Sequence, residues 1–350
     1  MKNIDGLALA TIVETQGSSP QIPGASAVFS SSGLMMGTLG GGILEGHSQQ
    51  KAIKALKSKS SLLAEFDLTS DSLLEEEAIC GGQVKVLIDA IPEKNLEIFQ
   101  NLSNANKKRI PGVLVTAFGT DPYKKAQILR YWIDYDHLLE INSILPHKIH
   151  KKELLDVLAQ KKPKLLRLKD NLFPENKLEN YIFLEPIFPL PQLVIAGAGH
   201  IGQALAHLGT LLNFDVTVID DRAEYANTER FPQTDNILVG DIGPTVKSFP
   251  ISSDTFIVIV TRGHRYDAKV LKNCISSSAA YVGVIGSRRK IALLKEKFLT
   301  EGWATQEEMN RVHAPIGLEI NSKTVEEIAV SIAAQLVLVR SQTQGERRQT

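Results

Sequence analysis

The sequence predicts an α/β chain, with an N-terminal α+β domain followed by a C-terminal domain built on a doubly wound parallel sheet. Three observations carry this. The second half alternates short apolar runs with helical periods. The first half interleaves several strand-like segments with one helix. Between them the segment EPIFPLPQ places three prolines in six residues, a stiff connector where the pattern changes. With 350 residues the chain is long enough for two buried cores.

Taken in order, LALATIVET, ASAVFSS, LMMGTLG, LLAEFDL and QVKVLIDAI read as strands, and ILEGHSQQKAIKALKS reads as a helix. Residues 93 to 185 continue this first domain, 1–185, with a polar helical stretch, strands at GVLVTAFG and QILRYWID, a basic segment and the strand YIFLEPIF. The second domain, 191–342, runs strand LVIAGAG, helix HIGQALAHLGTLLNF, strand DVTVIDDR, then strands NILVGD, TFIVIVT and AYVGVIG with helices between them. Thr324 and Glu327 form a capping box for the last helix. The tail from 343 to 350 reads as disordered.

Charge and sulfur exclude several classes. Lys plus Arg and Asp plus Glu number 39 each, so the chain lacks the field of a general nucleic-acid or membrane-surface binder. No apolar run reaches the roughly 20 residues of a membrane span, and the start lacks a signal peptide's basic head, so a cytoplasmic location is expected. Cys80 and Cys274 stand far apart without neighbouring thiols, which argues against a disulfide framework.

Gly197, Gly199 and Gly202 follow an apolar strand and open a helix, and Asp220 ends the next strand about 20 residues on. This is the dinucleotide fingerprint of a Rossmann-like domain. The helix start at His200 would face a pyrophosphate, and Asp220 would accept from a ribose hydroxyl. Asp221 and Arg222 extend that strand end, and Arg222 leaves a 2′-phosphate open. Glycines serving strand–helix packing alone would give the same pattern.

Two further clusters are expected at the carboxyl edge of the sheet. TRGHRYD supplies His264, Arg265, Tyr266 and Asp267, and HAPIG supplies His313, both read as loops. GSRRK places Gly286 and an N-cap Ser287 before Arg288, Arg289 and Lys290. Three cations in a first helical turn oppose the helix dipole unless an anion sits there.

The motifs GSSPQIPGA, GGGILEG, ICGG, GAGHIGQALA, VTVIDDR, GHRYD, YVGVIGSRRK, HAPIGL and TVEEIAVSIAAQL, in that order, resemble the XdhC/CoxI family of accessory proteins of xanthine dehydrogenase and related molybdenum hydroxylases. The resemblance implies a chaperone that binds molybdenum cofactor (molybdopterin, alone or as a dinucleotide), assists its sulfuration and delivers it to an apo-molybdenum hydroxylase. A cysteine desulfurase is a candidate partner, a homodimer is the expected assembly, and NAD(P) is a candidate second ligand.

Under that resemblance the first domain contributes Ser18, Ser19, the loop Gly40 to Gly42 with Glu45, and Cys80 with Gly81 and Gly82. The Cys80 thiolate is a soft ligand suited to molybdenum, and the two glycines would let backbone amides reach the cofactor. A buried, inert cysteine is the competing reading, and the glutamates before it disfavour the thiolate. Two positions depart from the family. Ile43 stands where many members carry a second cysteine, and Gln21 replaces an arginine after the SSP element. An NAD(P)-dependent oxidoreductase using His264 or His313 as proton donor, and a nucleotide-sensing module without chemistry, remain as alternatives.

Overall fold

The computed structural model describes residues 6–68, 81–140, 149–168, 179–234 and 236–343, and the chain divides into two compact units, Met1–Pro189 and Leu190–Thr350. Cys80, the glutamates before it and the tail from 344 onward lie outside the described residues.

The first unit opens with strands β1 (Ala8–Gly17), β2 (Ser26–Ser30) and β3 (Gly33–Gly37), helix α1 (Gly42–Ser58), and strands β4 (Leu62–Asp67) and β5 (Gly82–Asp89). The strands pair antiparallel in the order β3-β2-β1-β5-β4. Alternation along β1 and β5 sends Ala10, Ile12, Val84 and Val86 towards Leu44, Ala52 and Ala55 of α1. A register break between Ile12 and Glu14 turns Val13 to the opposite face, where it joins Leu63, Leu87, Phe118, Tyr181 and Phe183.

Those aromatic residues belong to a second antiparallel sheet. After α2 (Leu96–Lys107) come β6 (Gly112–Thr120), β7 (Ala126–Asp134), α3 (Tyr135–Glu140), α4 (Lys151–Gln160), β8 (Lys164–Leu168) and β9 (Glu179–Ile187). The sheet order is β7-β6-β9-β8, and α4 buries Leu154, Val157 and Leu158 on its outer face. Strand β8 is absent from the reading of the sequence because KLLRL is short and only partly buried.

The second unit is the expected parallel sheet. Its strands are β10 (Gln192–Ala196), β11 (Asp215–Asp220), β12 (Asn236–Val239), β13 (Thr255–Ile259), β14 (Tyr281–Val284) and β15 (Val312–His313). Its helices are α5 (His200–Leu211), α6 (Ile242–Ser248), α7 (His264–Cys274), α8 (Arg288–Thr300), α9 (Gln306–Arg311) and α10 (Val325–Thr343). The order β12-β11-β10-β13-β14-β15 is parallel throughout, and α5 and α10 pack one face while α6 to α9 pack the other. Every residue of β10 and of β13 is buried, which is why these strands read as continuous apolar runs. The strand order reverses between β10 and β13, and ligands of open α/β sheets bind at such a switch point.

Two expected loops are regular structure. His264 to Asp267 form the first turn of α7, because Gly263 caps that helix four residues after β13 ends. His313 ends the two-residue strand β15, paired to β14.

Candidate functional site

The switch point of the second unit is flanked by two helix N-termini of the same kind. Helix α5 is capped by Gly199 and α7 by Gly263, and neither cap carries a side-chain hydrogen bond. In α8, α9 and α10 a hydroxyl does that work: Ser287 accepts from the Lys290 amide, Thr305 from Glu308 and Thr324 from Glu327, while α6 starts at Asp241 without a side-chain cap bond. In α5 the first intrahelical bond runs from the Gln203 amide to the Gly199 carbonyl, so the amides of His200, Ile201 and Gly202 precede it.

The glycines of the fingerprint separate by cause. A Cβ on Gly197 would lie 2.4 Å from the Val260 carbonyl oxygen, and one on Gly202 would lie 2.0 Å from the Gly197 oxygen. Packing of strand, turn and helix demands both. Gly199 differs, with φ −67° and ψ −170° and nothing within 4 Å of its missing Cβ. Gly263, with an extended φ of 177°, has an equally open face. No steric contact in the described chain demands glycine at these two caps, where glycine also serves as an N-cap, and the open faces leave room for a ligand against the amides.

Asp220 takes donors from within the chain. Its Oδ2 accepts from the Ala198 amide at 2.8 Å and from Arg222 Nη2 at 3.0 Å, while Oδ1 accepts from the Arg222 amide and Nε. Burial alone would raise this carboxyl, but the Arg222 bonds and the two amides outweigh it and hold the group below the usual carboxylate range. With four donors satisfied inside the chain, Asp220 clamps the glycine turn to β11. Asp221, more exposed, accepts from Arg262 at 2.8 Å, and Arg262 also donates to the Tyr266 hydroxyl at 2.7 Å. Arg222 stacks over Tyr225 at 3.8 Å. The ends of β11 and β13 thus meet through Asp221, Arg262 and Tyr266 beside the open glycine caps.

Asp267 accepts from the Thr261 hydroxyl at 2.5 Å and ties α7 to the end of β13, while burial pushes its carboxyl up. His264 and Arg265 are exposed in the first turn of α7. His313 sits on the outermost strand, two strands from β13, with its ring stacked on Tyr281 at 4.5 Å and burial lowering its pKa. The structure therefore places the two histidines on different strand ends, and Asp267 bonds to Thr261 instead of orienting His264 as a base. At α8, Arg288 pairs with Glu319, which offsets the dipole cost read from the sequence, and Ser287 caps the helix after Gly286. Arg289 and Lys290 are exposed.

In the first unit the glycine-rich motifs converge. Gly17 pairs with Gly82 at the end of β1 and β5, placing Ser18 beside Gly81, and the loop at Gly40 packs on Pro20. Ser19 donates to the Gln21 carbonyl. Gly41 and Gly42 adopt φ of 72° and 57° in turning β3 into α1, so the backbone itself explains their identity. Glu45 accepts from the Thr38 hydroxyl at 2.7 Å and from the amides of Leu39 and Gly41, and the Thr38 bond leads in lowering its pKa. This carboxylate already occupies the start of α1.

Arg230 is a residue the sequence reading missed. It donates to the Ala198 carbonyl at 3.0 Å and to Gln203 at 2.9 Å, bracing the turn from below. It lies in no motif, and only the fold brings it to Ala198. Cys274 is buried, its thiol pushed up to about 12 by desolvation, so it is a core residue. Among the described residues no cluster of His, Cys, Asp and Glu is placed to hold a metal, and no helix is long and apolar enough to cross a membrane.

Comparison with known proteins agrees with this geometry. Residues 193–336 match the family described as XdhC Rossmann domain, and residues 5–67 match the XdhC and CoxI family. A probable xanthine dehydrogenase subunit of Bacillus subtilis is 25% identical over 95% of this chain and 92% of that protein. The uncharacterized protein YqeB of Escherichia coli is 35% identical over 44% of this chain, and the match spans only 28% of YqeB. The molybdenum cofactor insertion chaperone PaoD of Escherichia coli is 24% identical over 43% of this chain and 41% of its own length. In fold, the chain is similar to a crystal structure of a xanthine dehydrogenase from Bacillus halodurans, with a TM-score of 0.74, 22% identity and coverage of 99% and 95%.

Proposed function

We propose, from the premise that the chain belongs to the XdhC and CoxI family, that it binds molybdenum cofactor and passes it to a molybdenum hydroxylase of the xanthine dehydrogenase type. The names of two relatives, a probable xanthine dehydrogenase subunit and a molybdenum cofactor insertion chaperone, support this reading. The observation that carries it is the pair of open glycine caps, Gly199 and Gly263, at the switch point. They fit a phosphate or diphosphate, whose oxygens would take the amides at the starts of α5 and α7 with the help of each helix dipole.

When bound, the cofactor supplies a pterin-held molybdenum centre and a terminal phosphate, with or without a nucleotide. The chain's own residues bind and orient it. The amides of His200 to Gly202 would hold the anion, and Arg262, paired with Asp221, links the ends of β11 and β13 at the same edge. Asp220, Arg222 and Arg230 keep the glycine turn in place. The first unit has candidate ligands of its own, the Ser18 hydroxyl and the Gly81 amide, and the sequence adds Cys80, whose thiolate would suit a soft metal. With Ile43 where a second thiol would stand, sulfur for the metal would come from a separate donor, a cysteine desulfurase. A nicotinamide dinucleotide presents the same diphosphate, so binding alone does not separate the two ligands.

The test is reconstitution. Purified chain incubated with isolated cofactor is mixed with an apo-hydroxylase. Hydroxylase activity should rise faster than with free cofactor, and NAD or NADP should leave that rate unchanged. No acceleration by the loaded chain, together with tight NAD(P) binding, would overturn the proposal.

A further inference from the structure

Helices α7 and α8 follow neighbouring parallel strands and lie side by side on one face of the second unit's sheet. A groove of about 530 Å³ runs between them. On α7 it is lined by residues four apart, His264, Ala268 and Lys272, together with Arg265 and Lys269. On α8 it is lined by Lys290, Leu293, Leu294 and Lys297. The stretch from His264 to Lys272 extends roughly 12 Å along the helix axis.

The lining is charged in one sign only. It holds Arg265, Lys269, Lys272, Lys290 and Lys297, with His264 beside them, and no carboxylate, in a chain whose acidic and basic residues balance at 39 each. Three arginines near the carboxyl edge of the sheet have acidic partners: Arg222 has Asp220, Arg262 has Asp221 and Arg288 has Glu319. In the groove, among the described residues, the ion pair is Lys269 with Asp241. Lys272 and Lys297 instead approach the Trp303 ring, at 4.0 and 5.1 Å from its centroid. Cations gathered in one concavity raise the local potential and attract an anionic partner. The floor is apolar, with Trp303 at its base and Leu293 57% exposed.

We propose that this groove docks an acidic, amphipathic segment of a partner protein, with carboxylates facing the lysines and an apolar side chain seated on Leu293 and Trp303. The chemistry favours a peptide over a phosphate ligand. A lysine can bind phosphate as a point charge, but a compact phosphate gathers its donors, amides, arginine or lysine, around one point. Here lysine point charges are spread over about two helical turns beside apolar surface, the pattern of helix-in-groove recognition. The inference is independent of which cofactor the sheet edge takes, because docking is tested without any cofactor.

The probe is a fluorescein-labelled peptide of about twelve residues, built from Glu and Leu at helical spacing, titrated with the full chain and read by anisotropy. Reversing Lys272→Glu and Lys297→Glu together should weaken binding about tenfold or more, and so should raising the salt several-fold. Leu293→Glu should weaken it by a similar factor. The same reversal on α1, Lys51→Glu with Lys54→Glu, should leave affinity within about twofold. All these side chains are exposed, and thermal unfolding checks that each variant folds. Affinity unmoved by the groove reversal would overturn the proposal. So would an equally tight all-Glu peptide or inorganic tripolyphosphate whose binding ignores Leu293→Glu, since either marks a general anion patch.

Discussion

Replacing Gly199 with alanine separates a ligand's demand from the fold's demand. The added methyl has no atom within 4 Å, and φ of −67° suits any residue. Two small effects on stability then oppose each other. Alanine is a poorer N-cap than glycine by roughly 0.5–1 kcal/mol, and it restricts the unfolded chain in favour of folding by about 0.4–1 kcal/mol. The net change should stay within about 0.5 kcal/mol, or roughly 2 °C in Tm for a unit of this size. Gly202→Ala is the contrasting variant. Its Cβ would stand 2.0 Å from the Gly197 carbonyl oxygen, so α5 must move off the turn, and a loss of about 3 kcal/mol is expected. For the ligand the order reverses in meaning. A methyl at Gly199 holds a phosphate oxygen away from the α5 amides, and losing one charge-assisted bond of about 1.5–3 kcal/mol lowers affinity roughly 10- to 150-fold. Calorimetric titration of the full chain with a panel of nucleotides, paired with thermal denaturation, reads both effects. The reasoning fails if Gly199→Ala binds every ligand as the wild type does, or if it unfolds as easily as Gly202→Ala.

Three other outcomes are expected. Asp220→Asn removes the charge that Arg222 and the Ala198 amide hold, costing roughly 2–3 kcal/mol in denaturant unfolding at neutral pH. Because the folded carboxyl is lowered, its contribution is present above the unfolded value of 3.8 and lost as pH falls through the folded value, so the variant should show a flatter acid limb; an unchanged limb would contradict the clamp. Ser287→Ala should cost about 1 kcal/mol and shift Tm by roughly 2–4 °C, whereas a neutral result would mean the hydroxyl does not cap α8. Cys80→Ser and Cys80→Ala should both fold, bind nucleotide, and fail alike to retain molybdenum; full retention by the serine variant, measured as metal per chain, would remove the thiol from the cofactor site.

The second unit was legible in the sequence because its strands are buried on both faces and its turns are punctuated by glycine, giving runs such as QLVIA and TFIVI. The four-stranded sheet around Phe118 and Tyr181 was harder to see. Strand β7 alternates buried and exposed residues only imperfectly, and β8 is five residues of mixed character that pair, among the described strands, with β9. At the candidate site, spacing revealed the glycines but not their separate causes, since packing against Val260 or an open face is a property of distant chain. The bonds that Asp220 makes within the chain were hidden for a related reason. An acid at a strand end has the same sequence signature whether it meets a ribose or an arginine two residues on. Gly263 before His264 could have been read as a helix cap, which would have moved GHRYD from loop to helix.

The central claim, that the chain carries molybdenum cofactor, is tested most directly by purifying it from cells that make the cofactor and measuring metal and oxidised pterin per chain. Molybdenum and pterin should co-purify in equal amounts, and Gly199→Ala should reduce both together. A preparation empty of both, when a known carrier handled in parallel retains them, would contradict it.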